Sequence, residues 1–216
     1  MVDPTNFQSM AGGIFPDIAN KPVLVLDINK PIYEKTPSVD PNRARISHNR
    51  EIEIISNNQI AEKGNLLLQN EEALIITGAE LLTSKNNIEN TILYALSGTI
   101  LDQDNKKHIE LPELKSRTVK DIYITYSYEQ DSRLFKTNLG KALKLSYNRL
   151  GIDKFIHTSQ DTLSDLFIGE PNSFKRQTII KNIDVQNAES LNKEINTKWM
   201  SISRKLSFKD RILTID

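Results

Sequence analysis

The sequence predicts an α+β fold: an extended Pro-rich N-terminal arm, a strand-rich middle and a helix-rich C-terminal third. Three observations carry that reading. Six of the eight prolines (Pro4, Pro16, Pro22, Pro31, Pro37 and Pro41) fall in the first 41 residues. Between Glu51 and Glu129 apolar residues alternate with polar ones in several places. Beyond Gln130 the apolar spacing lengthens to three and four. Strands and helices segregated along a chain argue for α+β rather than a βαβ series. The expected division is residues 1–45 as arm, 46–130 as a mainly strand body with one helix, and 131–216 as a mainly helical part packed on that body.

Proline lacks an amide donor and fixes its own φ, so the arm is neither helix nor central strand. The run Val23 to Leu26 interrupts it. Flanked by Pro22 and Pro31, that run suits an edge strand added to this chain's sheet or to a neighbour's. Glu51 to Ser56, EIEIIS, alternates as a half-buried strand does. Gly64 to Gly78 carries two apolar triplets around QNEEA, read as two short strands about a turn, with a helix as the competitor.

Ser84 stands as an N-cap before Ile88, Ile92, Ala95 and Leu96, and Gly98 stands where the helix should close. Thr99 to Leu101 and Ile109 to Leu111 flank a polar turn and read as a hairpin. Asp121 to Glu129 is the clearest strand, with Ile122, Ile124, Tyr126 and Tyr128 on one face. Next, Ser132 to Gly151 presents Phe135, Leu139, Ala142, Leu143 and Leu150 at helical spacing. A shorter helix is expected after Ser159, and another around Ile179, Ile180 and Ile183. The last helix is expected from Ala188 to Leu206, with Leu191, Ile195, Trp199, Ile202 and Leu206 spaced four, four, three and four apart. The tail from Arg211 to Asp216 alternates as a strand.

Composition narrows the chemistry. At 216 residues and 38% hydrophobic, the chain is large enough to bury a core without staples. With 28 basic and 28 acidic residues the net charge is zero, so bulk attraction to nucleic acid is not expected. No cysteine is present, which removes disulfides, thiolate metal sites and thiol nucleophiles. The opening MVDPTNFQSMAGG predicts no secretory signal, and no apolar run is long enough to span a bilayer. A cytoplasmic location, or a virion if the protein is viral, is the expectation. The 27 isoleucines and 20 asparagines against 8 glycines are what AT-rich codons produce.

Candidate sites are few. Asp102 is followed by the tripeptide Glu113-Leu114-Lys115. This spacing resembles the PD-(D/E)xK nuclease family over about 14 residues. The resemblance implies Asp102 and Glu113 as ligands of a divalent metal and Lys115 as the group that orients or activates water. Pro112 departs from it, standing where that family has a buried strand. Asp102, Asp104 and Glu113 also fall at calcium-loop positions, but Lys106 and Lys107 occupy places that need an oxygen ligand and a glycine.

His48, His108 and His157 lack partners at metal-ligand spacing and are expected as surface residues. Ser159, His157 and Asp161 lie together without a nucleophile elbow. Gly12-Gly13 lacks the strand before it and the lysine after it that a phosphate loop needs. Basic residues gather at Arg43, Arg45, His48 and Arg50, at Lys175, Arg176 and Lys181, and at Arg204, Lys205, Lys209 and Arg211. Beside Tyr123, Tyr126 and Tyr128 on one strand they could form a surface for single-stranded nucleic acid, but Tyr126 and Tyr128 share the isoleucine face and read as core.

No catalytic, cofactor-binding or metal residue is therefore assigned, and no cofactor is expected. The expectation is a non-enzymatic structural or assembly subunit, of the kind found in phage or virus particles as connector, tail or capsid-associated proteins. It would dock through its arm and its C-terminal amphipathic helix onto copies of itself or other structural proteins. A metal-dependent nuclease and a nucleic-acid-binding module are the alternatives. A membrane partner is not expected.

Overall fold

The computed structural model describes residues 14, 18–26, 30–43, 45–79, 82–102, 106–114, 121–131, 134–138, 140–143, 145, 173–185, 188–198 and 200–216. Strands dominate. The N-terminal part holds β1 (Pro22–Val25), β2 (Ile32–Lys35), β3 (Arg45–Ile54) and β4 (Gln59–Gln69), then α1 (Glu71–Ala79) and α2 (Lys85–Ser97). The middle holds β5 (Lys107–Glu110), β6 (Ile122–Asp131), β7 (Leu134–Thr137) and β8 (Gly140–Leu143). The C-terminal part holds β9 (Ser173–Lys181), a short 3-10 turn (Ala188–Leu191), β10 (Lys193–Asn196), β11 (Ser201–Arg204), β12 (Leu206–Lys209) and β13 (Ile212–Ile215).

Seven strands form one sheet in the order β12-β13-β9-β3-β4-β6-β5. Every neighbour pair is antiparallel except β3 and β9, which run parallel from Arg45↔Ser173 to Glu53↔Lys181. The sheet is thus two antiparallel blocks, β3-β4-β6-β5 and β9-β13-β12, joined along one parallel seam. Period-two alternation gives each central strand a buried inner face and a polar outer face. On the inner side Ile46, Leu68, Ile122 and Ile124 pack with Ile88, Ile92, Leu93 and Leu96 of α2 and Ala73 of α1. A second apolar cluster joins Ile52, Ile60, Ile180, Leu206 and Leu213 across the seam. The outer face is laced by ion pairs: Glu51 holds Lys63 at 3.3 Å and Lys181 at 2.8 Å.

Several expected elements are present. The Ser84 hydroxyl accepts from Asn87 N at 3.3 Å, and Gly98 closes α2 at φ 70° with its N–H on Tyr94 O. The strand expected at Asp121–Glu129 is β6, and the EIEIIS strand is the end of β3. The tail ends as β13. Leu66–Leu68 lies in β4, whereas Leu74–Ile76 lies in α1, because Asn70 at φ 51° ends the strand and Glu71 and Glu72 open a helix. Of the hairpin expected around Asp102 only β5 forms, and it pairs with β6. The Val23–Leu26 run adds no edge to the large sheet; β1 pairs with β2.

The helix-rich C-terminal third is not observed, and the α+β reading gives way to a mostly β fold with few helices. Where a helix was expected over Ser132–Gly151, β7 and β8 form a hairpin that pairs Phe135 with Ala142. The helix expected at Ile179–Ile183 is β9, an interior strand held on both sides by long-range ladders. The amphipathic helix expected over Ala188–Leu206 is instead a 3-10 turn, the β10–β11 hairpin and the start of β12. Its turn is fixed by Thr197, whose N–H donates to Met200 O at 2.8 Å while its hydroxyl accepts from Met200 N at 3.0 Å. Asn192 then ties the hairpin to the sheet by accepting from Leu206 N at 2.6 Å. The helix expected after Ser159 lies outside the described residues.

A buried polar cluster as the candidate functional site

The inner face is apolar at both ends of its central strands and polar between them. Register builds the polar patch. Thr178, Arg50, Gly64 and Tyr126 stand in one row across β9, β3, β4 and β6. On one side of that row lie Arg176, His48, Leu66 and Ile124, and on the other Ile180, Ile52, Glu62 and Tyr128. His48, Arg50, Glu62, Tyr126, Tyr128 and Thr178 are all buried.

Gly64 is what lets these side chains meet. A Cβ there would stand 2.4 Å from Asn49 O and 2.7 Å from the Tyr126 hydroxyl. With no side chain at that place, the Tyr126 ring lies across β4 and reaches β3. Its hydroxyl meets His48 Nε2 at 2.8 Å and donates to Glu62 Oε1 at 3.1 Å. Arg50 Nη1 lies 3.6 Å from the same carboxylate oxygen, and Arg50 Nε donates to Thr178 Oγ1 at 3.0 Å across the seam.

Proton counting fixes the histidine. A phenol has one proton, and Tyr126 gives it to Glu62, which only accepts. The His48–Tyr126 contact therefore needs His48 Nε2 to carry a hydrogen and donate it. The ring is neutral, with its lone pair on Nδ1. Burial first, then the positive charges of Arg50 and Arg176, pull the His48 pKa down from its ordinary 6.5 to about 3. Burial and the Glu62 charge push the Tyr126 phenol far above its ordinary range, so it stays protonated. The Arg50 and Glu62 side chains are 1% and 0% exposed. Arg50 Nη2 and Glu62 Oε2 have no hydrogen-bond partner among the described residues. An ion pair so enclosed is costly to break, because either partner alone would be a bare buried charge.

The residues singled out from the sequence are dispersed. Asp102 and Glu113 are exposed in irregular segments on either side of β5, and Lys115 lies outside the described residues. Among the described residues no three His, Asp or Glu side chains are grouped to hold a metal. His48, expected at the surface, is buried because strand alternation turns it inward with Ile46 and Ile52. His108 is exposed beside Glu110 at 3.3 Å, and His157 lies outside the described residues. Alternation also splits the basic groups. Arg45 faces out while Arg50 faces in, and Lys175 faces out while Arg176 lies 5.7 Å from the Phe174 ring. In the last group Arg204 donates to Leu191 O at 2.8 Å and Arg211 pairs with Asp184 at 3.5 Å. Tyr126 and Tyr128 are core residues, while Tyr123 is exposed.

The sequence did hold a signal for the cluster. In Ile46-Ser-His48-Asn-Arg50-Glu-Ile52, period two puts a histidine and an arginine on the face that two isoleucines mark as interior.

No protein-family model, curated protein or solved structure matches this chain. Among the described residues no helix is long and apolar enough to cross a membrane.

Proposed function

We propose that this protein is a non-enzymatic assembly subunit that associates with further copies of itself through the β1–β2 hairpin. One observation carries the reading: the hairpin stands apart from the large sheet with its apolar side chains in solvent. Leu24 is paired with Tyr33 and Val25 with Ile32, so both faces of the ribbon are apolar. Leu26 and Tyr33 are each 82% exposed. A lone two-stranded ribbon is marginal in water. Here its base is tied: Thr36 Oγ1 accepts from Lys21 N at 2.7 Å and donates to Ile18 O at 2.5 Å, beside a small apolar contact of Ala19 with Val39. A tethered ribbon with apolar side chains on both faces is a device for covering and being covered. The Ile- and Asn-rich, cysteine-free composition supports placing the assembly in a phage or virus particle, as a connector, tail or capsid-associated component. The helix once expected as a second docking element plays no part.

Light scattering and sedimentation equilibrium test the proposal. The full chain is expected to associate as concentration rises. Replacing Leu26 and Tyr33 by serine should weaken association more than tenfold, since burying a large apolar side chain contributes about 1.5–3 kcal/mol. A full chain that stays monomeric at high concentration contradicts the reading.

A further inference from the structure

Among the described residues the two antiparallel blocks are paired strand to strand only along β3 and β9. Beside the apolar cluster of Ile52, Ile60, Ile180, Leu206 and Leu213, that seam is fastened differently on its two faces. On the outer face Lys181 holds Glu51 at 2.8 Å, and the Asn182 amide donates to Glu53 Oε1 and Ile54 O at 3.3 Å. On the inner face the polar cluster spans the seam through Arg50 and Thr178, with His48 in register beside Arg176. We propose that the cluster is an acid-sensitive latch: proton uptake at His48 Nδ1 loosens β9, with the β12–β13 ribbon it carries, from β3.

Geometry makes the latch respond to protons. Nε2 is committed to Tyr126, so an added proton goes to Nδ1. Among the described residues the charges that act on the ring are Arg50 from its own strand and Arg176 from β9, both cations. Glu62 of β4 is linked to His48, among the described residues, through the Tyr126 hydroxyl of β6, and Tyr128 stacks on the Tyr126 ring. A protonated His48 would add a third cation to Arg50 and Arg176, with Glu62 already paired to Arg50, in a buried site. Separating β9 from β3 removes Arg176 and admits solvent, so the open form takes the proton readily. The closed form prefers the neutral ring. Its advantage is complete above the ordinary histidine pKa of 6.5 and is lost progressively as pH falls toward about 3.

The outer fastening does not follow the same curve. Its hydrogen bond to Lys181 first, helped by Lys63, holds the Glu51 carboxyl below its ordinary value. That ion pair therefore persists where His48 begins to respond, and between pH 6.5 and 5 the inner cluster sets the change.

Amide hydrogen exchange of the full chain at pH 7.5 and pH 5, corrected for intrinsic rates, tests the latch. If open His48 regains its ordinary pKa, the opening constant of β9 should rise about 30-fold between the two conditions. The β4–β6 ladder should change far less. A β9 that keeps its protection at pH 5, or a loss of equal size in all strands, overturns the proposal. His48→Gln supplies a neutral donor that does not titrate, and its β9 exchange should lose the pH dependence. The same slope in that variant overturns the role of His48, and the wild-type comparison decides alone if the variant does not fold.

Discussion

The large sheet and the β1–β2 hairpin use the same kinds of residue for opposite ends. In β6, Ile122, Ile124, Tyr126 and Tyr128 alternate onto one face and all are buried. In the hairpin Leu24 and Val25, paired with Tyr33 and Ile32, put apolar side chains on both faces, yet all are exposed. The difference is not propensity. β6 has a strand on either side and helices over its inner face, whereas among the described residues β1 and β2 pair only with each other. Apolar patterning specifies a strand; long-range partners decide whether it belongs to a core or to an interface.

Substitutions can break that comparison at either end. The largest effect is expected at Ile124, fully buried in the first apolar cluster. Ile124→Ala should cost about 4 kcal/mol in denaturant unfolding. Gly64→Ala comes next, at about 3 kcal/mol, because its Cβ would press on Asn49 O and displace the Tyr126 hydroxyl. Its urea midpoint should fall, and the His48–Tyr126 contact should lengthen in a crystal structure. Gly98→Ala, at the left-handed cap of α2, should cost about 1 kcal/mol and show as a lower melting temperature. The smallest effect belongs to the hairpin: Leu26→Ser with Tyr33→Ser should shift monomer stability by no more than about 0.5 kcal/mol. If this pair destabilises the body as Ile124→Ala does, the hairpin is core and the contrast fails.

What was legible in the sequence follows the same division. β6, the end of β3 and the capped helix α2 could be read because local pattern and tertiary role agree there. The misread helices share one physical degeneracy. Ile195 pairs with Ile202 and Phe135 with Ala142, both partners being seven residues apart. Seven residues is two turns of a helix, and it is also the span between facing residues of a tight hairpin. The hairpin signal was the turn chemistry of Asn196 and Thr197, which spacing alone does not weigh. β9 was hidden differently: Thr178 and Ile180 alternate inward, but the outward Ile179 between them is also apolar, so the run resembles a short helix segment. The polar cluster was half legible. Alternation could place His48 and Arg50 inward, but only the register of four strands brings Glu62, Tyr126 and Thr178 to them.

The central claim is a neutral His48 locked into the interior as a donor to Tyr126. Nitrogen NMR of the imidazole at pH 5.5 tests it directly. The account predicts an uncharged ring with its hydrogen on Nε2 and a bare Nδ1, whereas a protonated ring, or a neutral ring carrying its hydrogen on Nδ1, would contradict it.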